Sequence, residues 1–414
     1  MIQATDGRRV PFDSNDPNSK GRVALIVLFS SVVGTLLLMA PAVASQLQLQ
    51  LGLNPSQTGD LFSAELGAMS FASIPALWWM NKFNIRTMST IFGAVFITGN
   101  ITSAYIGDYE ILLGVRFLTS LAGGSLMVLC MSLAAQTRDR NRVYGLWVMG
   151  QLSFGAIGLA VLPHFFDSFG IGIVYWVLAA LMILVLPLAR FLPQRNIAAA
   201  RTRDETGHAP NNALQAALGL LAVLAFYVSL SGIWTFVGGI AAASMIDTET
   251  SSLILSIATV LGIAGSALAT VLGARPNTRI NILVGYLAMT LSVALLTGLP
   301  GLLRFTLAAL LFKFTWTFVL PYIMATLSGL DRAGRVVNLA NIAIGGGFAL
   351  GPFMGGRLVE NAGGYGTLIA VSLTGLVVSL ALILAAQPRC TSATISTAAA
   401  PEMAEPDTQI MRTT

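Results

Sequence analysis

The chain has 414 residues, of which 55% are hydrophobic and only 10% are charged. Soluble domains carry about 25% charged residues, so this composition excludes an ordinary water-soluble protein and predicts that lipid is the main solvent. The formal net charge of +5 does not indicate nucleic-acid binding, because the basic residues are scattered over short loops and form no basic face.

Apolar runs long enough to cross a membrane recur along the chain. A spanning helix needs about 20 predominantly apolar residues, and we predict twelve such helices. Strands of an outer-membrane barrel would instead alternate in polarity over about 10 residues, which this sequence does not do. The predicted limits are 23–45, 57–80, 88–107, 110–136, 143–163, 171–190, 213–243, 250–273, 279–298, 302–328, 335–358 and 363–386.

Three polar segments divide the chain. They are an N-terminal tail over 1–22, a linker over 191–212 and a C-terminal tail over 387–414. The linker separates six helices from six, so we predict an N-terminal bundle over 23–190 and a C-terminal bundle over 213–386. None of the polar segments is long enough to form a soluble enzyme or sensor domain.

The distribution of lysine and arginine predicts the orientation. Cytoplasmic loops of membrane proteins carry an excess of both residues. With the N-terminus in the cytoplasm, 19 of the 23 basic residues fall on the cytoplasmic side. We therefore predict a multi-pass protein of the cell (inner) membrane with both termini cytoplasmic. The acidic residues of the opposite face are Asp108, Glu110, Asp167, Asp247, Glu249 and Glu360.

The two halves of the chain echo each other. The loops before the fifth and eleventh predicted helices align when Arg142 is placed on Arg335, and the same offset aligns Gly158 with Gly351. Such an internal repeat fits two parallel six-helix units related by an axis along the membrane normal.

Three local motifs accompany the repeat. The loop between the second and third helices contains Asn81, Lys82 and Arg86. The fourth helix reads Arg116-Phe-Leu-Thr-Ser-Leu-Ala-Gly-Gly, and the eleventh contains Gly351-Pro352-Phe-Met-Gly-Gly. With these motifs, twelve helices and a six-plus-six division, residues 23–386 resemble the major facilitator superfamily.

The resemblance implies an all-α membrane protein of two pseudo-symmetric six-helix bundles that transports a small molecule by alternating access, without a cofactor. It also implies that Asn81, Lys82 and Arg86 form a gating loop. Gly351 and Pro352 should by themselves soften the eleventh helix so that it can bend as the halves move, or they could serve close helix packing. Asn81 and Lys82 stand where the family has aspartate and arginine. The fifth helix has no proline, unlike that of the family's drug antiporters, and this departure weakens an exporter interpretation.

Ionisable side chains in hydrocarbon are costly, so each one is a candidate functional residue. Glu65 and Arg116 lie at similar predicted depths, which makes an ion pair possible. This pair could simply fix two helices, or it could couple transport to protons if Glu65 gains and loses its partner. Asp60, Arg304 and Arg357 lie near helix ends, where long side chains reach the interface.

Lys313 lies close to the middle of the tenth predicted helix, too deep for its ammonium to reach the interface easily. It could pair with backbone carbonyls or with Glu65, or it could bind the carboxylate or phosphate of a substrate. Other residues could contribute ring contacts or hydrogen bonds to that substrate, although aromatic residues in membrane helices more often serve packing. The candidates are Trp316, Tyr227, Trp234, Asn338, Asn341 and Arg116.

The sequence therefore predicts a secondary transporter, with the substrate held between two bundles. Its spans hold no clustered catalytic set and no metal-ligand spacing, so we expect neither an enzyme nor a metal site. No phosphate-binding loop occurs, which favours an ion gradient, and protons in particular, as the energy source. We expect a monomer that carries a small organic anion such as a carboxylate. The alternative is proton-driven efflux of amphipathic drugs or metabolites.

Overall fold

The computed structural model describes residues 18–193, 213–273, 278–330, 335–361 and 363–387. All regular elements in these ranges are helices. The predicted N-terminal tail up to residue 17, the linker from residue 194 and the C-terminal tail from residue 388 lie outside the described residues.

Twelve membrane helices follow one another, as the sequence predicts. Ten are long and apolar enough to cross a bilayer, and two further helices, α3 with 19 residues and α9 with 17, complete the set. The helices are α1 Lys20–Leu51, α2 Pro55–Lys82, α3 Ile85–Ser103, α4 Tyr109–Ala134, α5 Arg140–Val161, α6 Gly172–Val185, α7 Ala213–Ala243, α8 Thr248–Leu272, α9 Thr278–Ala294, α10 Leu302–Ser328, α11 Arg335–Asn361 and α12 Tyr365–Ala386.

Helix ends depart from the apolar limits where local chemistry decides them. Helix α1 continues past its apolar run to Leu51, because glutamines are good helix formers, and it ends at Gly52 with a left-handed φ of 64°. Helix α2 begins with a capping box between Asn54 and Gln57. Helix α6 tightens into a 3₁₀ segment, Leu186–Phe191, at a proline.

The helices form two six-helix bundles. In the first, α1 packs on α5, α4 packs on α2 and α3, and α3 packs on α6. In the second, α10 packs on α8 and α9, and α12 packs on α7 and α9. Most of the contact between the bundles is made by three helix pairs, namely α2 with α11, α1 with α7 and α5 with α8. The site described below lies along this interface.

The interface is closed on one side of the membrane. Because twelve helices alternate in direction, α1 begins and α12 ends on one face, here named the termini face. Near the opposite face, Gly59 and Gly356 lie so close to main-chain carbonyls of the other helix that no side chain would fit. The Arg357 guanidinium pairs with Asp60 at 2.6 Å, across the two bundles. The sequence placed these two residues near helix ends but did not indicate that they meet.

The contact between α2 and α11, here called the seam, becomes looser toward the termini face. Ser70 of α2 still contacts Gly345 of α11. One turn further, Ile74 is 62% exposed on α2, and Ile342 is 68% exposed on α11. Apolar residues on facing helix surfaces are thus separated here, although their counterparts near the opposite face are in contact. In this structure the two bundles are in close contact near the opposite face, and the seam residues nearer the termini face are exposed.

Replacing Gly59 by alanine should shift the protein away from this conformation, because the new Cβ meets the Pro352 carbonyl. Gly67→Ala is the matched control on the same seam, since its Cβ finds only the Ala349 side chain at 3.4 Å. The measurement is the rate at which a polar maleimide labels Ile342→Cys in a cysteine-free background. We expect several-fold slower labelling with Gly59→Ala than with Gly67→Ala. Equal rates in the two variants would contradict this interpretation of the seam.

Candidate substrate and coupling sites

A buried ion pair joins α2 and α4. The Arg116 Nε donates to the Glu65 carboxylate, and both side chains are almost completely buried. The Arg116 Nη1 also donates to Asn100 Oδ1 of α3 at 2.9 Å, and its guanidinium lies 4.7 Å from the ring centroid of Tyr175 on α6. The structure thus contains the ion pair that the sequence gave only as a possibility. Asn100 and Tyr175 were not predicted.

The ion pair borders a small cavity of about 10 Å³ within the N-terminal bundle, which is room for about one water molecule. Leu37 and Phe96 supply apolar walls, while Glu65 and Arg116 supply the polar wall. The hydroxyl of Tyr175 is buried and has no hydrogen-bond partner among the described residues. Leaving a buried hydroxyl without a hydrogen bond costs about 1–3 kcal/mol. The Tyr175 hydroxyl is therefore an unsatisfied donor on the residue that packs against the Arg116 guanidinium.

Lys313 of α10 lies within an aromatic cluster. Its Nζ is 3.5 Å from the ring centroid of Trp234 on α7 and 4.1 Å from that of Trp316. The side chain is 1% exposed. Within the described part of the chain, the ammonium contacts these two rings, and neither a carboxylate nor a backbone carbonyl pairs with it.

Further rings surround the two indoles. Phe312 is stacked on Trp234 with centroids 6.0 Å apart. Phe348 of α11 lies 6.1 Å from Trp316 and 5.1 Å from Tyr227 of α7. The structure thus brings together four residues that the sequence singled out, Lys313, Trp234, Trp316 and Tyr227. Phe312 and Phe348 were missed, although Phe312 directly precedes Lys313.

The Lys313 cluster carries a cation without a countercharge among the described residues. A cation–π contact contributes about 2 kcal/mol when desolvated, whereas the effective penalty for burying an ion is several kcal/mol. An anion placed beside Nζ would offset that penalty, and the indole faces could stack on a flat apolar group. The geometry therefore suits a planar ligand with one negative charge.

Other predicted binding residues lie elsewhere. Arg116 makes its contacts inside the N-terminal bundle, away from the Lys313 cluster. Asn338 and Asn341 are exposed on the helix face that continues from Gly345 toward the open part of the seam. The structure does not bring these three residues into contact with Lys313.

The predicted gating residues fall in two places. The Arg86 guanidinium donates to the carbonyls of Arg190 and Leu192, where it caps the end of the α6 segment. Lys82 lies over the ring of Trp78 at 4.8 Å. Asn81 is exposed in the last turn of α2, so Asn81 and Lys82 belong to the helix and not to the predicted loop.

On α11, Gly351 packs against α7, and the Pro352 carbonyl abuts α2 in the closed seam. Helix α11 is continuous through this pair.

The fold matches solved transport proteins. A nucleoside transporter, NupG, superposes with a TM-score of 0.68 at 16% sequence identity, covering 89% of this chain and 98% of that one. A point mutant of the same transporter gives the same TM-score at 14% identity, with 88% and 98% covered. None of the curated protein sequences matches the chain. The family model of the Major Facilitator Superfamily matches residues 23–352. With this match and the two-bundle fold, the chain belongs to the major facilitator superfamily of membrane transporters.

Proposed function

We propose that this transporter is a proton-coupled carrier for small planar organic anions, such as aromatic carboxylates. The observation that carries the proposal is the Lys313 ammonium, buried between two indole rings with no carboxylate partner in the described chain. A substrate carboxylate would supply the missing charge. Its flat apolar part would stack on Trp234 or Trp316.

Glu65 and Arg116 are the proposed coupling residues. Their pair is buried in the bundle that faces the Lys313 cluster, and it borders a cavity that could admit water. A movement of α2 relative to α4 within the N-terminal bundle that separates the two side chains would favour protonation of Glu65, since the carboxylate loses its cation. The same proposal places a monomer in the cell membrane with cytoplasmic termini, on the basis of the 19 basic residues that would face the cytoplasm.

A nucleoside is the second candidate substrate. The base of a nucleoside is flat and would also stack on the indoles, and the similar solved structures are of a nucleoside transporter. A neutral nucleoside leaves the charge of Lys313 uncompensated, which favours the anion. Efflux of amphipathic cations fits the cluster least, because Lys313 would repel them.

The test is a thermal-shift measurement on the purified protein with four probes: benzoate, benzenesulfonate, uridine and tetraphenylphosphonium. We expect the two anions to stabilise the wild type but not the Lys313→Ala variant. Truncating one partner of a buried charge pair costs about 2–5 kcal/mol, so the affinity should fall at least ~30-fold.

Lys82→Ala is the matched control, because Lys82 also lies over an indole but is exposed. That variant should keep anion binding. Stabilisation by uridine alone would favour the nucleoside, and stabilisation by tetraphenylphosphonium alone would favour efflux. Either result, or equal anion binding by Lys313→Ala, would contradict the proposal.

A further inference from the structure

A proline inside α1 leaves one main-chain carbonyl without its helical partner. Pro41 has no N–H, so the carbonyl of Leu37, four residues earlier, cannot be satisfied within the helix. The structure shows where that carbonyl is used. Trp234 Nε1 of α7 donates to it at 2.9 Å, across the interface between the two bundles.

The indole that makes this bond is the one closest to Lys313. Its ring face lies 3.5 Å from Nζ, and Phe312 stacks on it with an interplanar angle of 9°. Trp234 itself is buried. The hydrogen bond fixes the remaining freedom of the ring, because it defines the direction of the N–H edge while the stacking defines the plane.

Leu37 also reaches the other site. It lines the cavity that contains Glu65 and Arg116. One residue of α1 therefore borders the candidate coupling site of the first bundle and accepts a hydrogen bond from the wall of the candidate substrate site in the second. Among the described hydrogen bonds, this one is the direct link between the two regions.

We infer that Pro41 is a positioning residue, which acts by leaving the Leu37 carbonyl free to hold Trp234 over Lys313. The inference rests on the proposed function for the identity of the ligand. Separation of α1 from α7 breaks the bond and releases the indole, so the geometry around Lys313 depends on how the bundles are arranged. If Pro41 served only to bend α1 or to pack against Gly238, it would not determine the environment of the Trp234 N–H.

The first experiment needs no ligand. In protein labelled with ¹⁵N-tryptophan, the six tryptophans give separate indole N–H signals, and Trp234→Phe assigns one of them. Pro41→Ala supplies a new N–H that competes for the Leu37 carbonyl, so the Trp234 signal should shift and exchange faster with solvent. Pro321→Ala is the control, a proline inside α10 that is exposed. A Trp234 signal that responds equally to both variants, or to neither, overturns the inference.

The second experiment is a double-mutant cycle read by calorimetric binding of benzenesulfonate. Trp234→Phe keeps a ring over Lys313 but removes the donor. We expect Pro41→Ala and Trp234→Phe each to weaken binding about three- to tenfold, the usual worth of one hydrogen bond, and the double variant to be no weaker than the poorer single variant. Multiplicative effects overturn the inference. Absence of binding by the wild type contradicts the proposed function, while the N–H signal still tests Pro41.

Discussion

Arg116→Ala should destabilise the protein by about 3–5 kcal/mol, because it leaves the Glu65 carboxylate buried without its cation. The loss should be larger than that of a simple cavity, since the variant also removes the donor to Asn100 and the cation over Tyr175. The measurement is reversible unfolding of the detergent-solubilised protein by denaturant, followed by circular dichroism.

Two further variants separate charge from packing. Arg304→Ala removes an arginine that donates to the carbonyls of Leu295 and Thr297 near a helix end, and it should cost far less. In the double variant Glu65→Gln/Arg116→Gln both charges are gone, so most of the stability should return. The ion-pair account is wrong if Arg116→Ala is as stable as Arg304→Ala.

Glu65→Gln should abolish proton-driven accumulation while leaving exchange intact. Glutamine still accepts the hydrogen bond from Arg116 but cannot bind and release a proton. In proteoliposomes with an imposed pH gradient, benzenesulfonate accumulation should fall to the level of protein-free vesicles. Counterflow exchange of labelled for unlabelled anion should continue, because it needs no net proton movement.

Asp60→Asn is the matched control for this experiment. It removes a carboxylate of the same bundle that is partly exposed and pairs with Arg357 near the opposite face. This variant should keep gradient-driven accumulation. Accumulation by Glu65→Gln at the wild-type level would remove Glu65 from the coupling mechanism.

The helices and the main charged residues could be predicted from the sequence because a segment buried in lipid must be predominantly apolar. Twelve apolar runs and three interior charges can be recognised in the sequence without knowing how the helices pack. Depth alone made a pair of Glu65 with Arg116 possible, since α2 and α4 carry these residues at similar distances from one face, but it did not decide whether they pair. Trp234 and Trp316 were candidate ring partners of Lys313, and the structure places both indoles beside its ammonium.

Partners that depend on helix rotation could not be predicted. Asn100 and Tyr175 meet Arg116 only because α3 and α6 turn those positions inward, and depth does not specify rotation. Asn338 and Asn341 share a helix face but lie near the start of α11, where both are exposed. The Leu37 carbonyl is a main-chain group, so no side-chain pattern reports it. Pro41 was the available signal, as a residue that frees a carbonyl inside a helix.

The close contact between the bundles near the opposite face has a consequence for how substrate specificity can change in such a protein. Its closest contacts are between glycines and main-chain carbonyls: Gly59 with Pro352, Gly356 with Pro55, and Gly238 with Pro41. Main-chain atoms are the same whatever side chain a residue carries. Substitutions among the rings around Lys313 can therefore change which molecule is accepted without loosening the barrier, provided that these three glycines are kept.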